Sequence, residues 1–110
     1  MKRGEVYNVN LDPTQGAEMK KTRPCVVVSP DEMHNHMQGV IVAPITSVVR
    51  YIPTRVAISA SKKNGLITDS YVVLDQIKTV DKSRLAARIG TLTQDEMQGV
   101  SNVLCEMFSY

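Results

Sequence analysis

One stretch of the sequence gathers groups suited to phosphate chemistry: Asp12-Pro-Thr-Gln-Gly-Ala-Glu-Met-Lys-Lys-Thr-Arg-Pro24, followed by the apolar run Cys25–Ser29. Pro13 and Gly16 mark its first part as a loop, Glu18 supplies a carboxylate, and Lys20, Lys21 and Arg23 crowd three cations together. A loop that ends on an arginine at the lip of a core strand can hold a guanidinium over a cleft. That group is planar and permanently charged, and it forks onto two oxygens of one phosphate. Further on, Pro44-Ile45-Thr46-Ser47 closes an apolar run with two hydroxyls. Leu74-Asp75-Gln76-Ile77-Lys78 sets a carboxylate, an amide and an ammonium within five residues. Hydroxyls, amides and ammonium groups donate to phosphoryl oxygens or base edges, and a carboxylate can take a proton. Taken singly, each has an ordinary reading as a solvated charge, a strand-end threonine or a loop carboxylate.

The elements that must position these groups are mostly strands. From Glu5 to Leu11, Val6, Asn8 and Asn10 alternate with Tyr7, Val9 and Leu11, the period of a half-buried strand. Cys25 to Ser29 reads as a buried strand between Pro24 and Pro30. Ser29 is then the expected N-cap of a short helix, with Pro30 at its first position and Asp31 and Glu32 in its first turn. Val40 to Thr46 is a second near-continuous apolar strand. Pro44 removes a ladder hydrogen bond from it, so that end is expected at an edge or a bulge. Thr54 to Ser59 alternates again, Lys62-Lys63-Asn64-Gly65 reads as a turn, and Ser70 to Ile77 reads as another strand. Asp81 is expected to cap a helical stretch to Ala87, before a last strand from Arg88 to Leu92. The final helix has the clearest signature. Thr93 and Glu96 form a capping box, and Met97, Val100, Leu104 and Met107 fall at helical spacing, with Val103 and Phe108 widening the stripe. Gly99 inside it costs about 1 kcal/mol relative to alanine, which points to close packing there. Many short strands with one long helix make a small, mostly β, α+β domain spanning residues 1–110.

Composition narrows the class. With 43% apolar and 22% charged residues the chain is an ordinary globular domain. No apolar run reaches the about 20 residues of a membrane span, and Met1-Lys-Arg-Gly leads into a strand, so a cytoplasmic location is the default expectation. Cys25 and Cys105 are expected as buried, reduced thiols. His34 and His36 lack a third ligand in a polar segment, so they are expected in a solvated loop, with no metal and no cofactor. One Phe, four Tyr and no Trp leave little for base stacking. All thirteen Lys and Arg lie before residue 89, where the net charge is +5, and residues 89–110 carry −3. A basic body suits an anionic partner.

Five pieces in order resemble the MazF/PemK family of toxin endoribonucleases: Arg3-Gly4-Glu5-Val6-Tyr7; Leu11-Asp12-Pro13 with Gly16-Ala17-Glu18; Thr22-Arg23-Pro24; Pro44-Ile45-Thr46; and Leu74-Asp75-Gln76-Ile77-Lys78-Thr79-Val80-Asp81. They span nearly the whole chain. The resemblance implies a twisted SH3-like, CcdB-type antiparallel β-barrel with a C-terminal helix, working as a homodimer. It also implies sequence-specific, metal-independent cleavage of single-stranded RNA, and a cognate antitoxin whose acidic disordered segment covers the active groove. By the same resemblance the catalytic residues are Arg23, Thr46 and Glu18. Gly16, Lys20, Lys21, Ser47, Asp75, Gln76 and Lys78 are expected to bind substrate.

One branch of the family carries a histidine before the glutamate and an arginine two positions before the aspartate. This chain has Ala17 and Val73 there, so the version built on Arg23 and Thr46 fits it better. Metal-free cleavage can use the adjacent 2′-hydroxyl as nucleophile, with Arg23 stabilising phosphoryl charge and Thr46 donating a hydrogen bond. Glu18 is the first candidate base and Asp75 the second. The alternative function is that of a CcdB-like gyrase-binding toxin without nuclease activity. That mode relies on the C-terminal helix, including a tryptophan in its best-known branch, and this chain has none.

Overall fold

The computed structural model describes residues 1–110. In chain order the elements are β1 (Glu5–Asn10), β2 (Thr22–Val27), α1 (Asp31–His34), β3 (Gly39–Thr46), β4 (Arg55–Ile58) and β5 (Ser70–Val73). A 3-10 turn (Leu74–Gln76), β6 (Lys78–Asp81), a second 3-10 turn (Lys82–Arg84), β7 (Leu85–Thr91) and α2 (Gln94–Phe108) follow. Every strand pair is antiparallel, in the order β4-β5-β3-β2-β1-β7, with β6 beside the first half of β3. The expected barrel is an open sheet. β4 and β7 end it and do not pair with each other.

Both faces of the sheet are buried. On one, Val6, Val26, Ala43, Ile45, Val72 and Leu74 pack beneath Val100 of α2. On the other lie Val9, Leu11, Cys25, Val27, Val40, Val42 and Val80. Successive strand residues point to opposite faces, so a sheet covered on both sides needs near-continuous apolar runs. That is why residues 25–28 and 40–45 lack alternation.

Several boundaries differ from the sequence expectation for long-range reasons. β2 starts at Thr22, because Arg23 and Pro24 pair with Val9 and Asn8 of β1. Pro44 is at neither an edge nor a bulge. It pairs with Cys25 on one side, and on the other it falls between the β6 ladder, which ends at Val42, and the β5 ladder, which starts at Ile45. The missing N–H sits where the ladder is already broken. β5 stops at Val73, and Leu74–Gln76 turns the chain towards β6. After Asp81, which accepts the Ser83 N–H at 2.8 Å, only one 3-10 turn forms. β7 begins at Leu85 because Leu85 and Arg88 pair with Val9 and Tyr7.

Ser29 does not cap α1, whose N-cap is Pro30. Its hydroxyl accepts the Ile41 N–H at 3.0 Å and lies 2.7 Å from His34 Nε2. This buries His34, which was expected in solvent. Cys25 is buried, and burial, only partly offset by Arg23, pushes its thiol up to about 12. Cys105, expected buried, is exposed. α2 has its capping box: Thr93 Oγ1 accepts the Glu96 N–H at 3.1 Å, and Glu96 Oε1 accepts the Thr93 N–H at 2.8 Å. Phe108 is 70% exposed and does not widen the buried stripe. Gly99 is not demanded by packing, since a Cβ there would meet Val56 Cγ1 at 3.8 Å, an ordinary contact.

Candidate active site

The β2–β3 register pairs Cys25 with Pro44. Carried two residues further, it puts Arg23 opposite Thr46. Both line a cleft of about 420 Å³ with Asn8, Pro24, Ser47, Ser70 and the Gly65–Thr68 segment. Arg23 is half-buried and donates from Nε to the Lys20 carbonyl at 3.1 Å. Its two terminal nitrogens have no partner within the protein, so the end of the guanidinium is free to fork. Thr46 is buried, and its Oγ1 accepts the Val48 N–H at 3.2 Å. The hydroxyl hydrogen therefore remains available to donate.

Glu18, Asp75, Gln76 and Lys78 line a different cleft, of about 230 Å³, with Leu11, Met19, Pro44 and Ile77. The candidates thus divide into two groups that adjoin along the end of β3: Pro44 lines one cleft, and Ile45 and Thr46 line the other. Glu18 Oε1 accepts the Gln15 N–H at 3.0 Å, and Oε2 lies 3.7 Å from Lys78 Nζ. Lys78 Nζ also donates to the Leu11 carbonyl at 3.4 Å. Gln76 Oε1 accepts the Met19 N–H at 2.8 Å.

Asp75 is captured by its neighbours. Thr54 donates to it at 2.9 Å, and Arg55 donates from Nε to one of its oxygens and from a terminal nitrogen to the other, both at 3.3 Å. Partial burial opposes its ionisation, but the Arg55 and Thr54 hydrogen bonds outweigh this and hold its carboxyl below the usual carboxylate range. An anion stabilised in this way is a weak base.

The loop between β1 and β2 carries the remaining candidates. Lys20 and Lys21 are exposed, and their ammonium groups make no ion pair. Gly16 has a φ of 58° with open space around it. Lys21 has a φ of 64°, in the left-handed region that costs an L-residue about 1 kcal/mol or more. It is held there by its N–H to Asp12 Oδ1 at 2.9 Å and its carbonyl from the Leu11 N–H at 3.0 Å. Arg84 closes the base of the loop by donating to the carbonyls of Asn10 and Asp12.

Asn8, Thr54 and Arg55 were missing from the sequence reading of the site. The only local signals were a polar residue within the apolar alternation of β1 and an arginine within β4. No group of three His, Cys, Asp or Glu side chains converges anywhere in the fold.

Three comparisons bear on this arrangement. Residues 2–108 match the profile of the family described as PemK-like, MazF-like toxin of type II toxin-antitoxin system. The chain is 40% identical to an Endoribonuclease MazF of Staphylococcus saprophyticus subsp. saprophyticus, covering 94% of this chain and 88% of that one. Among solved structures, an endoribonuclease from Mycobacterial species, in complex with its cognate antitoxin, superposes with a TM-score of 0.80 at 29% identity, covering 96% of this chain and 92% of that one. MazF from Deinococcus radiodurans has a TM-score of 0.85 at 22% identity, covering 100% of this chain and 97% of that one, and shares its fold.

Proposed function

Because the chain belongs to the PemK-like, MazF-like toxin family of type II toxin–antitoxin systems, we propose that it is an endoribonuclease toxin that cuts single-stranded RNA at specific sequences, without a metal ion and without the ribosome. The observation that carries this reading is the pairing of a free guanidinium fork on Arg23 with a free hydroxyl hydrogen on Thr46 in one cleft.

The 2′-hydroxyl loses its proton to the base as its oxygen attacks the adjacent phosphorus, the P–O5′ bond breaks and the departing 5′-oxygen takes a proton from water, leaving a cyclic phosphate and a 5′-hydroxyl. Negative charge grows on the two non-bridging oxygens. The terminal nitrogens of Arg23 meet that charge, and Thr46 adds one donor at the same centre. Nε of Arg23 is occupied by the Lys20 carbonyl, so the fork is presented end-on. Glu18 is the favoured base for the 2′-hydroxyl, in the adjoining cleft. Asp75, paired with Arg55, is the weaker choice.

Gly16, Lys20, Lys21, Ser47 and Lys78 supply the surrounding surface for RNA. The exposed ammonium groups of Lys20 and Lys21 contribute salt-dependent phosphate attraction. The working species is a homodimer, and an antitoxin with an acidic disordered segment neutralises it by covering the active groove. No helix is long and apolar enough to cross a membrane. The protein acts in the cytoplasm, where its RNA is.

Digestion of a long mixed RNA in EDTA tests the reading, with the ends mapped. The wild type is expected to leave cyclic phosphates at a short recurring motif. Arg23→Ala is expected to leave the RNA whole while keeping the circular dichroism and elution volume of the wild type. Full activity in that variant, or no cleavage by the wild type across varied RNAs, refutes it.

A further inference from the structure

We propose that Gln76 is a positioning residue for Arg23, acting through the backbone of Met19 and Lys20. The inference rests on the reading of Arg23 as the phosphate-binding group.

Two hydrogen bonds on adjacent loop residues make the connection. Gln76 Oε1 accepts the Met19 N–H at 2.8 Å, and the Lys20 carbonyl accepts Arg23 Nε at 3.1 Å. The loop from Asp12 to Lys21 is mostly exposed and has little packing of its own. Arg84 and Lys78 grip the carbonyls at its N-terminal end, Lys78 meets Glu18 through a side chain, and at its C-terminal end Lys21 donates to Asp12 Oδ1 and accepts the Leu11 N–H. The Gln76 bond fixes the backbone on the N-terminal side of the carbonyl that orients the guanidinium, as the Lys21 bonds fix its C-terminal side.

Gln76 is itself rigidly mounted. Its 3-10 turn is rooted by fully buried Leu74, whose N–H donates to the Thr54 carbonyl at 3.0 Å. Asp75 next to it is locked by Arg55 and Thr54. A rigid acceptor thus holds an exposed segment next to the carbonyl through which its geometry reaches Arg23. The strained backbone of Lys21 follows immediately, and such conformations persist only where neighbouring contacts over-determine them. Misplacing a charge-stabilising group by a fraction of its contact distance removes much of its effect in the transition state.

The bond uses the oxygen of the amide and leaves its nitrogen free, which gives a discriminating pair of variants. Gln76→Ala removes the acceptor, whereas Gln76→Glu keeps an acceptor and removes the donor. Amide exchange on the free protein and steady-state cleavage are measured for both. In Gln76→Ala, Met19 exchange is expected to rise about tenfold while Val26 and Val42 in the core stay unchanged, and kcat is expected to fall about tenfold with KM little altered. In Gln76→Glu, Met19 protection and kcat are expected within about threefold of wild type.

Unchanged Met19 exchange in Gln76→Ala overturns the latch. So does a Gln76→Glu variant with normal Met19 protection and the kcat of Gln76→Ala, since the lost donor would then be the active group. A rise in KM alone for Gln76→Ala overturns it too. Absence of cleavage by the wild type is a separate result, and it refutes the nuclease reading.

Discussion

Thr46→Val isolates a single hydrogen. Thr46 Oγ1 already accepts the Val48 N–H at 3.2 Å, so within the protein the hydroxyl acts as an acceptor and its hydrogen is unspent. Valine keeps the shape of the side chain and removes both functions. If the hydrogen meets the phosphoryl oxygen as charge builds, the loss is that of a hydrogen bond to a charged group, about 1.5–3 kcal/mol. That corresponds to a kcat about 10- to 150-fold lower. The structural cost is smaller. Val48 is 57% exposed, so its N–H can turn to water, and less than about 1 kcal/mol is lost from the fold. For a domain of this size the shift in Tm is then less than about 6 °C. Thr46→Ser keeps the hydroxyl and is expected within about threefold of wild type. The assay is cleavage of a short fluorogenic RNA containing the mapped site, beside thermal unfolding of each variant. A Thr46→Val enzyme with wild-type kcat refutes the reasoning and reduces Thr46 to an anchor for the following loop.

Gly99→Ala is expected to raise stability by up to about 1 kcal/mol, visible as a higher Tm, because helix propensity improves and the added methyl meets Val56 only at van der Waals distance. Native protein treated with a thiol reagent at pH 8 is expected to label at Cys105 and not at Cys25, whose thiol is buried and raised to about 12; after denaturation, peptide mapping is expected to find both labelled. Asp75 has its folded value depressed below the ordinary 3.8 by Arg55 and Thr54 acting against burial. Its contribution is therefore present above that ordinary value and lost as pH falls through the folded one. Arg55→Met is expected to be less stable than wild type near neutral pH, with the gap in urea unfolding narrowing as pH drops below 3.8. A gap that widens in acid refutes the ion-pair account.

What the sequence made legible follows from how locally each feature is determined. α2 was readable because its capping box and apolar stripe lie within one helix. The turn at Lys62–Gly65 was readable from Asn64-Gly65, and Gly65 takes a φ of 72°. β7 was misread over Leu85–Ala87, because its extended form depends on pairing with β1, some 80 residues earlier. The misreading of His34 has the same origin, since its burial depends on Ser29 and, through it, on β3. The division of the candidates between two clefts was also out of reach. Arg23 and Thr46 meet through strand register, whereas Asp75 is claimed by Arg55 through the pairing of β4 with β5. Nothing adjacent to Asp75 in the chain announces that partner.

Strand β3 hydrogen-bonds to β2 on one side and to β6 and then β5 on the other, and β1 must wait for β7. A chain leaves the ribosome N-terminus first and domains fold as units. Strands β2 and β3, whose register sets Arg23 opposite Thr46, are therefore made before β5, β6 and β7, which complete the sheet around them. The cleft that holds Arg23 and Thr46 is also lined by the Gly65–Thr68 segment, Ser70 and Ile89, so its wall is complete only late in synthesis.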